Sequence, residues 1–364
     1  MRWNRKHPGR TPALSERRNP LNRRGFLQLS AYSFAGLALA PVLHDASPWP
    51  PEPPPTPILL GRVARSYLRV YTEPDAHSKR LSKVERDTLL QIYGSVIVPT
   101  GTGNPRWYKL KDGFINSAYI QPINQPQLNN PIPAMPKEGF LGEVTVPFTQ
   151  TTYHSRKGQW MPMYRLYYGS LHWVTDLVES PEGKPWYQIT DEWLRVNYFV
   201  AATHLRTVSP SEVSPLSDRI PPEEKRIEVY LADQTLLAYE GEKQVLQAPI
   251  SSGRKYMKTP QGEFQIDRKY PSKHMGNGGL TSDLNAYELV GVPWASFFHP
   301  SGIAFHGTFW HDNYGTPTSH GCVNLRIEDA RWLFRWSTPV VNPELHYRSS
   351  RKITGKGTRV LVLP

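Results

Sequence analysis

The stretch His306–Arg326, HGTFWHDNYGTPTSHGCVNLR, holds the only cysteine among 364 residues, Cys322. Its neighbours Ser319, His320, Gly321 and Asn324 are small or polar, so the thiol does not sit in an apolar run. A thiol in such company reads as a nucleophile with a base at hand, and His306, His311 and His320 are the histidines in range. A free thiol has a pKa of about 8.5, and an imidazole within hydrogen-bond reach can take its proton to form an ion pair. Gly321 has no Cβ and can hold a sharp turn, where successive backbone N–H groups can face a developing oxyanion. His306 and Cys322 are 16 positions apart, and Gly315 and Pro317 make the segment between them a loop that has to bring them together. Two blander readings compete. Cys322 can be an inert buried thiol. Alternatively His306, His311, His320 and Cys322 can ligate zinc, although H-x4-H-x8-H-x-C is not a known zinc spacing.

SHGCVN at Ser319–Asn324, with HG at His306–Gly307 upstream, resembles the catalytic signature of the bacterial L,D-transpeptidases: His, a spacer, then Ser/Thr-His-Gly-Cys-hydrophobic-Asn. The spacer here stands at the short end of that pattern. The resemblance covers residues 226–364 and implies a β-sandwich catalytic domain with one short helix. It implies Cys322 as nucleophile and His306 as proton acceptor and donor, with the backbone carbonyl near Gly307 orienting the ring. Gly321 and His320 would form the turn at the oxyanion. Ser319, Asn324 and Arg326 would brace the loop, with a substrate carboxylate as the alternative partner of Arg326. His311 is not a signature position and reads as a surface or rim histidine, and Trp310 as an aromatic at the site mouth or in the core. The implied reaction is a 3→3 cross-link between peptidoglycan stem peptides through a cysteine thioester. Transfer of the same acyl group to water would make a carboxypeptidase, and transfer to a free D-amino acid would attach that amine instead. Acylation by carbapenems is implied too, and no cofactor or metal is. A wall-binding protein with a degenerate catalytic domain is a third reading, against which the intact His306–Cys322 pair argues.

Around the signature the pattern is short strands. Ile227, Val229 and Leu231 alternate with polar residues and open a β-meander, and TPQGEF at Thr259–Phe264 reads as structural turn chemistry. Residues 268–300 read as an irregular loop rich in glycine and aromatics, from which the resemblance implies a lid over the cysteine. Ala330, Leu333 and Phe334 have helical spacing in a short helix that ends before Pro339. Thr358–Leu363 reads as a last strand after a polar insertion at 342–357.

Upstream, residues 61–123 and 141–208 each show short strands broken by turn signals, which argues small β-barrels resembling bacterial Src-homology-3 modules. Trp107-Tyr108 and Trp186-Tyr187 are 79 positions apart, as are Tyr119 and Tyr198, so the second module reads as a repeat of the first. The aromatics suit either barrel cores or contacts with wall glycan. The expected class is therefore mainly β, with two barrels before the catalytic domain. Residues 45–60 form a proline-rich linker, extended and semi-rigid.

Net charge is +12, and residues 1–44 carry +7 of it. NRRGFL at Asn22–Leu27 precedes an apolar run and resembles a twin-arginine export signal, so the protein is expected in the cell envelope, with membrane contact only through an uncleaved leader. A lone thiol fits export, since it can form no internal disulfide. No Walker motif, dinucleotide fingerprint or nucleic-acid module is present, so no nucleic-acid partner is expected.

Overall fold

The computed structural model describes residues 56–99, 103–341 and 357–364. The leader, residues 45–55 of the proline-rich linker and most of the 342–357 insertion lie outside them. The described residues are mainly β, with one α-helix, Ile327–Trp336.

The catalytic segment builds two sheets. In the first, strands run in the order Lys243–Pro249, Thr235–Glu240, Lys225–Tyr230, Arg359–Leu363 and Gly262–Gln265. The C-terminal strand pairs in parallel with Lys225–Tyr230 and antiparallel with Gly262–Gln265. Ile227 and Val229 point inward and Arg226 and Glu228 outward, the period of two that a half-buried strand requires. The second sheet orders Arg268–Gly276, Glu288–His299, Ile303–Gly307 and Val323–Leu325. One core joins both sheets and the helix, with Ile227, Val229, Phe298, Phe305, Val323, Leu333 and Phe334 all buried in it.

Residues 268–300 are not the irregular loop expected from composition. They form a long hairpin whose second strand, Glu288–His299, is buried almost without a break. Alternation is lost because both faces are covered, as in strands sandwiched between layers. The helix packs on this strand from the catalytic segment, while Gly291 lies against His172 of the second module, where a Cβ would come within 2.3 Å of the imidazole. Only about ten residues, 277–287, remain outside strands at the hairpin tip.

The helix has Glu328 and Asp329 in its first turn and Arg335 in its last, which suits its dipole. Its C-terminal carbonyls are capped by two buried lysines. Lys225 Nζ donates to Trp336 O at 3.0 Å, and Lys269 Nζ donates to Ser337 O at 2.7 Å and to Phe334 O. Lysine N–H donors there satisfy carbonyls that the helix itself leaves unpaired, and burial pushes both amine pKa values down, that of Lys269 furthest.

The first module has sheets of three and five strands, and the second a single seven-stranded sheet. Strands Arg106–Leu110 and Pro185–Thr190 carry the paired tryptophans. Trp107 is buried edge-on to Tyr71, whereas half-buried Trp186 packs with Trp160 and Phe199. The tyrosine half of the 79-residue repeat does not hold. Tyr119 lies in a 3-10 turn, Ser117–Tyr119, but Tyr198 lies in the strand before the corresponding turn, Ala202–His204. A longer hairpin loop after Thr190 shifts the register.

The second module is locked to the catalytic hairpin by a buried histidine. His274 Nδ1 meets Asp191 Oδ2 at 2.8 Å, and its Nε2 meets Glu288 Oε2 at 2.9 Å. Burial alone would lower the His274 pKa, but the hydrogen bonds and charges of Asp191 and Glu288 outweigh it and raise the pKa. Truncation would leave two buried carboxylates unpaired. His274→Ala is expected to lower the unfolding free energy by about 3–5 kcal/mol in urea titration. Glu263→Gln, which breaks the exposed pair with Arg359, is expected to change it by under about 1 kcal/mol. Equal effects would refute the assignment.

Candidate active site

The signature places its residues by strand geometry. Ile303–Gly307 and Val323–Leu325 pair in parallel, with His306 opposite Asn324 and Phe305 opposite Val323. Side chains two residues apart share a face, so extending this register by one pleat sets Cys322 beside Ala304, on the face that carries His306 and Asn324. All three line one cavity of about 440 Å³ together with Trp310, His311, Ser319 and His320. Cys322 is half-buried and His306 is 3% exposed.

The turn before the cysteine is tightly held. Gly321 has φ +118°, a conformation that side chains other than glycine rarely adopt. Its N–H donates to Ser319 Oγ at 3.0 Å, and Ser319 Oγ–H donates to Cys322 O at 2.5 Å. Thr259 Oγ1 donates to Gly321 O at 2.8 Å and accepts from Gly253 N at 3.0 Å. Thr259 is thus tied directly to the catalytic turn, a link beyond the turn chemistry read from TPQGEF. Residues 251–254 run alongside, with Ser252 O accepting from both Thr318 N and Ser319 N.

His306 Nδ1 lies 3.1 Å from Gly307 O, which places the ring proton on Nδ1 and leaves Nε2 free to act as a base. Gly307 packs where a Cβ would come within 3.0 Å of Ile327 Cα. Trp310 stands 5.7 Å from the His306 ring, centroid to centroid.

His311 is not the surface or rim residue expected. It is buried, and its Nδ1 accepts from Asn313 N at 3.1 Å. Nε2 must therefore carry the proton, and the Asn324 side-chain amide, whose nitrogen is placed 2.8 Å away and whose buried Oδ1 has no other partner, has to turn its oxygen to Nε2 to accept it. A buried asparagine in the signature needs such a partner, which was the one clue to a second buried histidine. His320 is exposed instead, 2.9 Å from Arg254 Nη2 and with its ring 5.1 Å from Tyr287. Arg326 does not line the cavity; its guanidinium lies over Tyr314 at 5.4 Å. Among the described residues no group of three or more His, Cys, Asp or Glu is placed to hold a metal ion.

Three hydrogen bonds from the first module hold the loop between His306 and Cys322. Tyr108 OH donates to Asp312 Oδ2 at 2.9 Å, Asn104 Nδ2 to Asp312 O at 3.0 Å, and Asp312 N to Ala118 O at 2.9 Å. A fourth comes from Arg62, which is 2% exposed. Its Nη2 donates to Phe309 O at 2.8 Å, while its other nitrogens donate to Gln121 and Asp87. Asp87 also takes Arg165 of the second module at 2.6 Å.

The electrostatics oppose a resting ion pair. Burial raises the Cys322 pKa despite the opposing hydrogen bond from the Ala304 backbone. Burial also lowers His306 to about 4, against which the Gly307 carbonyl has the smaller effect. At neutral pH the expected thiolate–imidazolium pair is thus replaced by a neutral thiol and a neutral imidazole. The thiol must lose its proton as it attacks.

Residues 224–362 match the family model of the YkuD L,D-transpeptidase catalytic domain. No curated protein matches the chain. Among solved structures, an L,D-transpeptidase from Mycobacterium smegmatis is 22% identical with a TM-score of 0.31, over 39% of this chain and 59% of that one. A cysteine-to-serine variant of the Enterococcus faecium L,D-transpeptidase is 26% identical with a TM-score of 0.27, over 38% of this chain and 50% of that one. An L,D-transpeptidase in complex with imipenem is 16% identical with a TM-score of 0.30, over 65% of this chain and 99% of that one. The chain thus spans between half and three-fifths of the length of the first two.

Because Cys322 is the only thiol, its alkylation by iodoacetamide reports the site alone. The rate is expected to rise about tenfold per pH unit from about pH 6 to pH 9, as the thiolate fraction grows. A rate that levels off below about pH 7 would reveal a stable ion pair and contradict the neutral resting state.

Proposed function

We propose, from the premise that residues 224–362 are an L,D-transpeptidase catalytic domain, that the chain is a cysteine-dependent peptidoglycan L,D-transpeptidase. The observation that supports this most directly is the placement of Cys322, His306 and Asn324 along one strand pair facing one cavity. Cys322 Sγ attacks the carbonyl carbon of the third residue of a stem tetrapeptide, and His306 Nε2 takes the thiol proton as the C–S bond forms. The resulting imidazolium gives that proton to the nitrogen of the departing D-alanine as the C–N bond breaks, leaving a thioester. An amine of a neighbouring stem then attacks the thioester, His306 carries its proton back to the sulfur, and a 3→3 cross-link results. The Gly321 N–H is held by Ser319 Oγ, so the oxyanion would have to take neighbouring backbone N–H groups of the turn. Water in place of the amine gives carboxypeptidase action, and the exclusion of water decides between the two.

A histidine buried neutral suits this sequence. An imidazole with a pKa of about 4 is unprotonated at neutral pH, takes the thiol proton only in concert with C–S bond formation, and once protonated is a strong acid for the leaving amine. The leader at residues 1–44 supports export by the twin-arginine route, which would set the enzyme among its substrates in the cell envelope.

Incubation of the whole chain with a carbapenem is expected to add one drug mass, mapped to Cys322 by peptide mass spectrometry. Cys322→Ser should show no adduct. His306→Ala should slow adduct formation by about 100-fold or more, in line with general-base catalysis. An adduct of undiminished size in Cys322→Ser would refute the proposal.

A further inference from the structure

The cavity is not built by the catalytic segment alone. One part of its wall comes from the two N-terminal modules, which contribute Arg62, Arg65, Arg86 and Arg165. A single carboxylate among them, Asp87, sits between Arg62 and Arg165 at 2.8 and 2.6 Å. Arg65 and Arg86 have no acidic partner among the described residues. Arg65 stacks over Tyr119 at 4.7 Å, and Arg86 donates to Asn285 Oδ1 at 3.1 Å. The Nε of Arg165 is buried with no hydrogen-bond partner. The acids on the catalytic side of the cavity are already engaged. Glu288 accepts from Gly278 N, Gly279 N and His274, and Asp283 accepts from Asn285 N.

The four module arginines exceed Asp87 by three positive charges, with Asp283 and Glu288 on the C-terminal side of the same cavity, and Arg65 and Arg86 keep guanidinium N–H groups that no carboxylate among the described residues takes. Guanidinium groups bind carboxylates through paired, charge-assisted hydrogen bonds. A cavity of about 440 Å³ also exceeds what a single acyl group fills. The peptide that reaches Cys322 therefore passes an arginine surface suited to its own carboxylates.

We propose that Arg65 and Arg86 form a carboxylate-binding subsite, through which the N-terminal modules select stem peptides with free side carboxylates over amidated ones. The substrate class rests on the transpeptidase reading; the subsite itself rests on the arginines. Arg65 is exposed and Arg86 half-buried, so both can be replaced without opening the core.

The test uses the full chain carrying Cys322→Ser and two synthetic stem tetrapeptides, identical except that the side carboxylates are free in one and amidated in the other. Calorimetry should show the free acid binding about tenfold more tightly, the size expected for a charge-assisted pair. Arg65→Gln with Arg86→Gln should bring the ratio of the two Kd values close to one, and lysine at both positions should restore part of it. Equal binding of the two stems, binding of neither, or a preference that survives the double glutamine variant would each overturn the subsite. The function is read separately, by the acyl adduct on wild-type Cys322. Selective binding without any adduct would sink the transpeptidase reading and leave the subsite standing.

Discussion

One buried guanidinium joins the three parts of this protein. Arg62 leaves a strand of the first module and donates to Asp87 and Gln121 of that module. It lies over the Tyr167 ring of the second, and it donates to the Phe309 carbonyl in the loop between His306 and Cys322. Gln121 passes the connection on to Tyr168 O, and Asp87 passes it to Arg165. A charge this deep is tolerated only if its donors are satisfied, and these partners satisfy it only when all three parts are in place. Loss of any one partner leaves the others to bear an unpaired buried charge. The loop that carries Trp310 and His311 therefore has a position set partly by a module outside the catalytic domain.

The same burial governs the chemistry. Desolvation disfavours charge on the Cys322 sulfur and on the His306 ring alike, so the resting pair holds its proton on sulfur. Such a site does not store a reactive thiolate. In the proposed reaction the thiolate would form only during attack, as the substrate carbonyl accepts the developing charge. Under the proposed mechanism, the degree to which bound peptide excludes water from the sulfur would decide between transfer to an amine and hydrolysis.

The sequence showed the chemistry more clearly than the architecture around it. SHGCVN is contiguous with its histidine only 16 positions before the cysteine, and strand alternation at Ile227 and Val229 is local, so both can be read from spacing. The hairpin at 268–299 was hidden because a strand covered on both faces loses its alternation, and Gly276, Gly278 and Gly279 read as loop signals. His311 looked like a rim residue because nothing near it in sequence shows that it pairs with Asn324. The grip of Arg62 on Phe309 spans 247 positions, and a lone arginine in a strand carries no sign of its destination. Burial, pairing across the fold and the electrostatics that follow are properties of the packed chain.

The most direct test of this account is amide hydrogen exchange in wild-type protein and in Arg62→Met. Loss of the guanidinium is predicted to speed exchange at Phe309–Asn313 by about tenfold or more, including the Asp312 amide bonded to Ala118, while the Lys225–Tyr230 strand keeps its protection. Unchanged protection at Phe309–Asn313, or equal loss along the whole chain, would contradict the claim that the first module positions the catalytic loop.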